Sequence, residues 1–425
     1  MVQDVVINSL SIKKQIRTNY LIVYLFIALT SIPFFVGDEF LIFNFVVSLA
    51  LFLYRKREFD KFIFLYSLIF LSIFLAQSFF FSVLEINVIL GYFFRILYAY
   101  FTIKVIGKDI AKYFINIIYF FAILSFVFYF PSLFFPDIMN SFLENVASYI
   151  EPFQLHDPGR SHIIIYTFGE QYSETDGAFS SALERNSGPF WEPGGFGVFL
   201  ILAIIFEMIE TKDLFSKKNK VFFLAVLTTL STGSFLVLFV LVIFYLFIYR
   251  DPKKLLLLGV FLIISIVIYL NTFFLNAKVE RQFAYTRASS VSLYYAPRTR
   301  FVSAQLDLID FYNNPVLGRG RFAATRFDNK ELEQDLLLNH RNNGTTNLLV
   351  EFGFFGFLTF FVSMYRSFKA YCFAKNFKTG FALVLVLIVV LLGFSQMIFL
   401  KPFFIGLSFF FLAAGYEFKL QNKIK

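Results

Sequence analysis

The sequence predicts an all-α integral membrane protein of about twelve transmembrane helices, on three observations. The 425 residues are 58% hydrophobic and only 16% charged, with a mean hydropathy of +0.70, whereas a soluble domain carries about 25% charged residues. Many apolar runs approach the ~18–20 residues that span a bilayer. Lysine and arginine gather in alternate short connections, the positive-inside pattern that neither a soluble chain nor a β-barrel has reason to produce.

The apolar runs fall near 19–37, 39–54, 61–83, 88–106 and 113–135, then 190–209, 220–232, 234–249 and 255–273, and finally 346–365, 380–399 and 402–417. The 220–232 run is the weakest, a candidate to pair with its neighbour across Ser231-Thr232-Gly233-Ser234. Cationic connections begin with Lys13, Lys14 and Arg17, continue through Arg55, Lys56, Arg57 and Lys61, and recur to Lys419, Lys423 and Lys425. The intervening turns at Gly37-Asp38-Glu39 and Leu84-Glu85-Ile86-Asn87 carry no lysine or arginine, and the turn at Lys401 and Pro402 carries one. Both termini are therefore expected in the cytoplasm.

Two long segments interrupt this pattern. The expected organisation is N-terminal helices over 1–135, a first outer loop over 136–189, central helices over 190–273, a second outer loop over 274–345 and C-terminal helices over 346–425. Loops of this length are usually functional, so chemistry is sought there. Within the second loop, Phe301, Leu306, Ile309 and Tyr312 stand near helical spacing, which reads as an interfacial helix or a substrate contact.

Charge and composition exclude several functions. The net charge of +9 lies in loops beside apolar runs, so it reads as topology rather than nucleic-acid affinity. The single cysteine, Cys372, excludes an internal disulfide framework and a thiolate metal cluster. The first apolar run is long enough to remain a membrane helix rather than a cleaved signal. His156, His162 and His340 fit no standard zinc spacing. No P-loop, GxGxxG or GxSxG motif occurs, so ATP-driven transport by this chain alone is not expected.

The outer loops are rich in arginine, among them Arg160, Arg185, Arg298, Arg300, Arg319 and Arg321, against lysine in the inner connections. A guanidinium fork suits phosphate and carboxylate, and two or more could hold a pyrophosphate and stabilise its charge as it departs. The alternative is that these arginines solvate the loop or pair with Glu280, Asp307 and Asp328. Arg95, within an apolar run, either faces a cavity and binds lipid phosphate or snorkels to the interface.

Three local patterns stand out. Arg185 to Gly197 holds the only tryptophan and a Glu192-Pro193-Gly194-Gly195 run at a helix start. Arg300 is followed by Pro315-Val316-Leu317-Gly318-Arg319-Gly320, and His340 to Asn347 by Glu351, Gly353 and Gly356.

In this order the patterns resemble the O-antigen ligase/polymerase superfamily, the Wzy-type polysaccharide repeat-unit polymerases and the lipopolysaccharide ligases. Arg185 to Gly197 looks like the R-x-x-G-x-F-x-E-P-G-x-x-G signature of the polymerase branch, and Arg300, Pro315 and Gly320 look like its loop pattern. His340 stands two residues earlier than the family's usual histidine. The resemblance implies a GT-C-like, metal-independent, inverting glycosyltransferase with no cofactor. It would lie in the bacterial inner membrane with its active site toward the periplasm. It would join undecaprenyl-pyrophosphate-linked oligosaccharide repeats into O-antigen, capsule or exopolysaccharide. Membrane lipids and a chain-length regulator are the further partners implied. On this reading Arg185 and Arg300 bind pyrophosphate, and His340 or Glu192 is the base. Arg95, Arg160, Arg298 and Arg319 are further substrate ligands. A ligase delivering glycan to lipid A core or protein, or a lipid-linked oligosaccharide flippase, are the alternatives.

Overall fold

The computed structural model describes residues 2–150, 161–168, 185–249, 299–326 and 341–414, and Leu256. Helices stand at each expected position except 255–273, of which only Leu256 is among the described residues. The chain runs through α1 (Val2–Ser31), α2 (Asp38–Tyr54), α3 (Lys61–Phe81), α4 (Ile86–Ile106), α5 (Ile110–Phe134) and α6 (Pro136–Ser148). After a hairpin come α7 (Pro193–Thr211), α8 (Lys217–Thr228) and α9 (Thr232–Tyr249). Then follow α10 (Arg300–Asn313), α11 (Ala323–Arg326), α12 (Gly344–Ala374), α13 (Phe381–Ser395) and α14 (Pro402–Gly406), which continues as a 3-10 helix over Leu407–Ala414.

Four helical stretches among the described residues are long and apolar enough to cross a membrane: α3, Ile86–Phe134, α7 and α12. The second comprises α4 and α5, which meet where Gly107 takes φ +68°. Shorter apolar helices accompany them at Thr232–Phe247, Phe381–Ser395 and Pro402–Ala414. The chain is thus a multi-pass membrane protein.

Surface and core share one chemistry, as a bilayer solvent allows. Helix α3 turns Phe64, Leu68, Leu75 and Phe79 outward and buries Tyr66, Phe70, Ile73 and Phe74. Aromatic edges fill the interior: Phe114 stacks on Phe403 at 4.8 Å, and Phe199 packs on Phe190 at 4.7 Å. Helix α7 is the central element, buried from Pro193 to Ile209. Whatever sits at its first turn is therefore held from all sides.

The described parts of the first long loop contain regular structure. Pro136 at the first position starts α6, whose Leu143 and Ala147 pack on Ile163 and Tyr166 in a small separate core. Those last two belong to an antiparallel hairpin, β1 (Ser161–Ile163) and β2 (Tyr166–Phe168), a minor departure from the expected all-α fold. In the second loop, the expected amphipathic segment is α10. We call the end of the bundle that carries α6, the hairpin and α10 the loop face.

Candidate active site

The chain returns to the bundle through an irregular segment, residues 185–192, whose polar groups are satisfied inside the protein. Such backbone is tolerated at depth only on that condition. Asn186, fully buried, donates from Nδ2 to Ser125 Oγ (2.8 Å) and Thr228 Oγ1 (3.0 Å), and from its backbone to Thr228 O (3.0 Å). Arg185 Nε donates to the Thr229 carbonyl at 3.0 Å. Trp191 N donates to Ser31 O at the end of α1. Arg185 is thus tied to the turn between α8 and α9.

Glu192, extended, is the N-cap residue of α7, with Pro193 opening the first turn. Its carboxylate accepts from Gln396 Nε2 and lies 3.9 Å from Arg300 at the start of α10. Two motifs far apart in sequence thereby meet at the loop face. Gly195 lacks a Cβ where the Trp191 ring lies, 2.7 Å from where that atom would stand. Over the ring sits Lys401, with Nζ 3.5 Å from its centroid. Burial pushes the Lys401 ammonium down to about 7, although Glu192 nearby favours its charged form.

Beside this group opens a cavity of about 760 Å³ between α1, α2, α4 and the α13–α14 turn. The apolar part of its wall is made by side chains such as Leu29, Phe34, Phe40, Met397 and Leu400. Arg95, Arg321 and Lys401 line it, with Asp38 and Glu39 as the acids. Arg95 lines this cavity and lies 3.7 Å from Asp38.

Other loop arginines are consumed internally. Arg326 bonds Asp307 (2.6 Å), Asp310 (3.1 Å) and Asn347 (2.9 Å). Arg341 lies 3.6 Å from Asp307 and 3.3 Å from Asp310, and Arg319 lies 3.4 Å from Asp310. Arg321 reaches Glu351 at 3.4 Å, and Asn347 Nδ2 donates to the same carboxylate at 2.8 Å. Arg319, expected to bind substrate, is therefore part of a buried ion network that fastens α10 to α12.

The second and third motifs interlock. Gly353 breaks α12 with φ +62°, and Gly318 opposite takes φ +72°. Arg319 N and Gly320 N donate to Val350 O (2.7 Å) and Glu351 O (3.1 Å), while Phe354 N donates to Pro315 O (2.9 Å). A Cβ on Gly353 would stand 2.2 Å from Val316 O, and one on Gly318 2.4 Å from Val350 O. Buried Gln77 of α3 staples the pair, donating to Leu317 O and Glu351 O. These glycines permit backbone to lie against backbone.

The structure therefore brings Glu192, Arg300, Arg95 and Arg321 to one region and adds Lys401 and Gln396, which the sequence reading missed. Lys401 had read as a turn residue; its signal was a lone cation in an otherwise apolar connection. Arg185 sits in the neighbouring turn. Arg160, Arg298 and His340 lie outside the described residues. His162 lies away in the hairpin, with Nδ1 2.9 Å from Thr167 Oγ1.

Residues 221–361 match the family model described as O-antigen ligase. That stretch belongs to the O-antigen ligase/polymerase superfamily. The O-antigen ligase match runs from α8 through the first half of α12, and so takes in Arg300, the ion network and the glycine interlock. It implies a membrane glycosyltransferase-like enzyme acting on lipid-linked glycans. No curated protein matches the chain.

Proposed function

We propose that the protein is a polysaccharide repeat-unit polymerase. It transfers a growing glycan from one polyprenyl pyrophosphate to the next lipid-linked repeat, at the outer face of the bacterial inner membrane. The observation that carries this reading is the approach of Glu192 and Arg300 to 3.9 Å beside an apolar cavity lined by three cations. The apolar wall suits a prenyl chain, and the cations suit its pyrophosphate.

The chemistry is an in-line displacement. The acceptor sugar's hydroxyl oxygen bonds to the anomeric carbon of the donor. The bond from that carbon to the phosphate oxygen breaks, and polyprenyl pyrophosphate leaves with the electron pair. Glu192 takes the hydroxyl proton as general base, with His340 its alternative in that role. Arg300 stabilises the charge arriving on the leaving group. Attack opposite the leaving group inverts the anomeric configuration. No step requires a metal or cofactor.

Deleting the gene and resolving surface glycan on gels tests the proposal: a polymerase leaves single-repeat products. Arg300→Ala should reproduce that pattern. Wild-type elongation of lipid-linked repeats by the purified Arg300→Ala protein would overturn the assignment. The ligase description of the matched family favours a second reading, transfer of finished glycan to lipid A core or protein. In that case long chains would accumulate on the lipid carrier. A flippase would instead leave no repeats exposed at the surface.

A further inference from the structure

The three cations of the cavity are not equivalent. Arg95 has Asp38 at 3.7 Å, and Arg321 has Glu351 at 3.4 Å. Lys401 is seated on an aromatic face instead, with Glu192 near enough to favour its charge. The ring beneath it lies close against Gly195, where a Cβ would stand 2.7 Å from it. Trp191 also directly precedes Glu192, so a group bound on Lys401 is delivered next to the carboxylate that faces Arg300.

We propose that Lys401 is a positioning residue of the transfer site: from its seat on Trp191 its ammonium binds a phosphate oxygen of the lipid-linked substrate and holds that substrate against the Glu192–Arg300 pair. The inference rests on reading the cavity as the lipid-pyrophosphate pocket. A cation over an indole is attracted to the ring face while its N–H donors remain for an anion. Lysine suits the task because its charge responds to its surroundings, whereas arginine's does not.

A pH signature follows. The charged groups around Lys401 are Glu192 from the α7 start, Asp38 and Glu39 from the α2 start, Arg95 from α4 and Arg321 from the second loop. Without ligand, burial leaves the ammonium titrating at about 7. A bound phosphate favours the charged form and raises that value, so its contribution to affinity is present below pH 7 and lost as the pH rises through it. If the bound form stays charged, affinity falls about thirtyfold between about pH 6 and about pH 8.5.

Calorimetric titration of the purified full chain with geranylgeranyl pyrophosphate tests the proposal. Inorganic pyrophosphate and phosphatidylglycerol serve as comparison ligands, and Lys401→Arg and Lys401→Met as variants. The Lys401→Arg profile supplies the ligand's own titration. The wild type should lose about thirtyfold more affinity than Lys401→Arg over that pH range. Lys401→Met should bind about tenfold or more weakly at the acidic end, as expected for losing a charge-assisted hydrogen bond. Should Lys401→Met fail to fold, the wild-type and Lys401→Arg profiles still decide. Identical profiles for those two, or undiminished binding by Lys401→Met, would overturn the role of Lys401 while leaving the pocket assignment intact. No binding of geranylgeranyl pyrophosphate by the wild type would overturn both. Equal affinity for phosphatidylglycerol would make Lys401 a headgroup ligand, and equal affinity for inorganic pyrophosphate would make the apolar wall irrelevant. Either result refutes substrate positioning.

Discussion

Replacing Arg326 by methionine should separate arginines that build the protein from those that serve its chemistry. Arg326 is 4% exposed and bonds Asp307 at 2.6 Å and Asp310 at 3.1 Å, themselves 0% and 3% exposed. Methionine would fill much of the volume but leave two buried carboxylates short of a partner. Breaking such a buried pair costs about 3–5 kcal/mol. Arg341 still lies 3.6 Å from Asp307 and 3.3 Å from Asp310, and Arg319 lies 3.4 Å from Asp310, so the loss should fall at the lower end. Arg300 differs: it is 29% exposed and stands 3.9 Å from a carboxylate that is itself 26% exposed. A pair of that kind contributes about 0–1 kcal/mol. Thermal denaturation in detergent, followed by intrinsic fluorescence, should therefore show a clear drop for Arg326→Met and almost none for Arg300→Met. Only the latter should be a folded protein that fails to elongate glycan. Adding Asp307→Asn to Arg326→Met should recover part of the lost stability through the coupling of the pair. If Arg326→Met melts with the wild type while Arg300→Met does not, the division into structural and catalytic arginines is wrong.

Four further outcomes are expected. Glu192→Gln should preserve melting behaviour while reducing elongation of lipid-linked repeats by about 10²-fold or more, the loss associated with a general base. Gly353→Ala should lower the melting point sharply in the same denaturation assay. The left-handed backbone costs a side chain about 1–2 kcal/mol, and its Cβ would meet the Val316 carbonyl at 2.2 Å, an overlap that no rotamer relieves. Asn186→Leu should cost about 1–3 kcal/mol by leaving buried Ser125 and Thr228 hydroxyls without their donor, measured as a melting shift. Cysteines placed at exposed Tyr312 and Lys108, in a chain with buried Cys372 replaced, should label from the outside and from the cytosol respectively. The reverse pattern would invert the topology and remove the active-site proposal with it.

The helices were legible because a bilayer imposes a simple requirement: long apolar runs with cations at alternate ends. Both α10 and the Glu192–Pro193 helix start could be read from local spacing alone. Helix α6 carried a legible signal that went unused: behind Pro136, Ile138, Met139, Phe142, Leu143, Val146 and Ala147 recur at helical spacing. The fate of the arginines was harder to foresee. Nothing in the spacing of Arg319, Arg326 and Arg341 distinguishes them from Arg300; the difference lies in Asp307 and Asp310, which α10 turns inward on the network. Pairing across tens of residues is a product of packing and leaves no local period. Lys401 was hidden for the same reason, since its meaning depends on Trp191, which stands far away in the chain.

The seam between Gly318 and Gly353 limits how the chain can move. Carbonyls of α12 that would otherwise face an empty gap at its break receive the amides of Arg319 and Gly320, so loop and helix share one set of backbone bonds. Arg321 in the cavity wall adjoins Gly320, whose amide donates to Glu351 O, so wall and helix are joined by backbone bonds. Strain at the mouth would then travel down a membrane-spanning rod instead of dissipating in a slack tether.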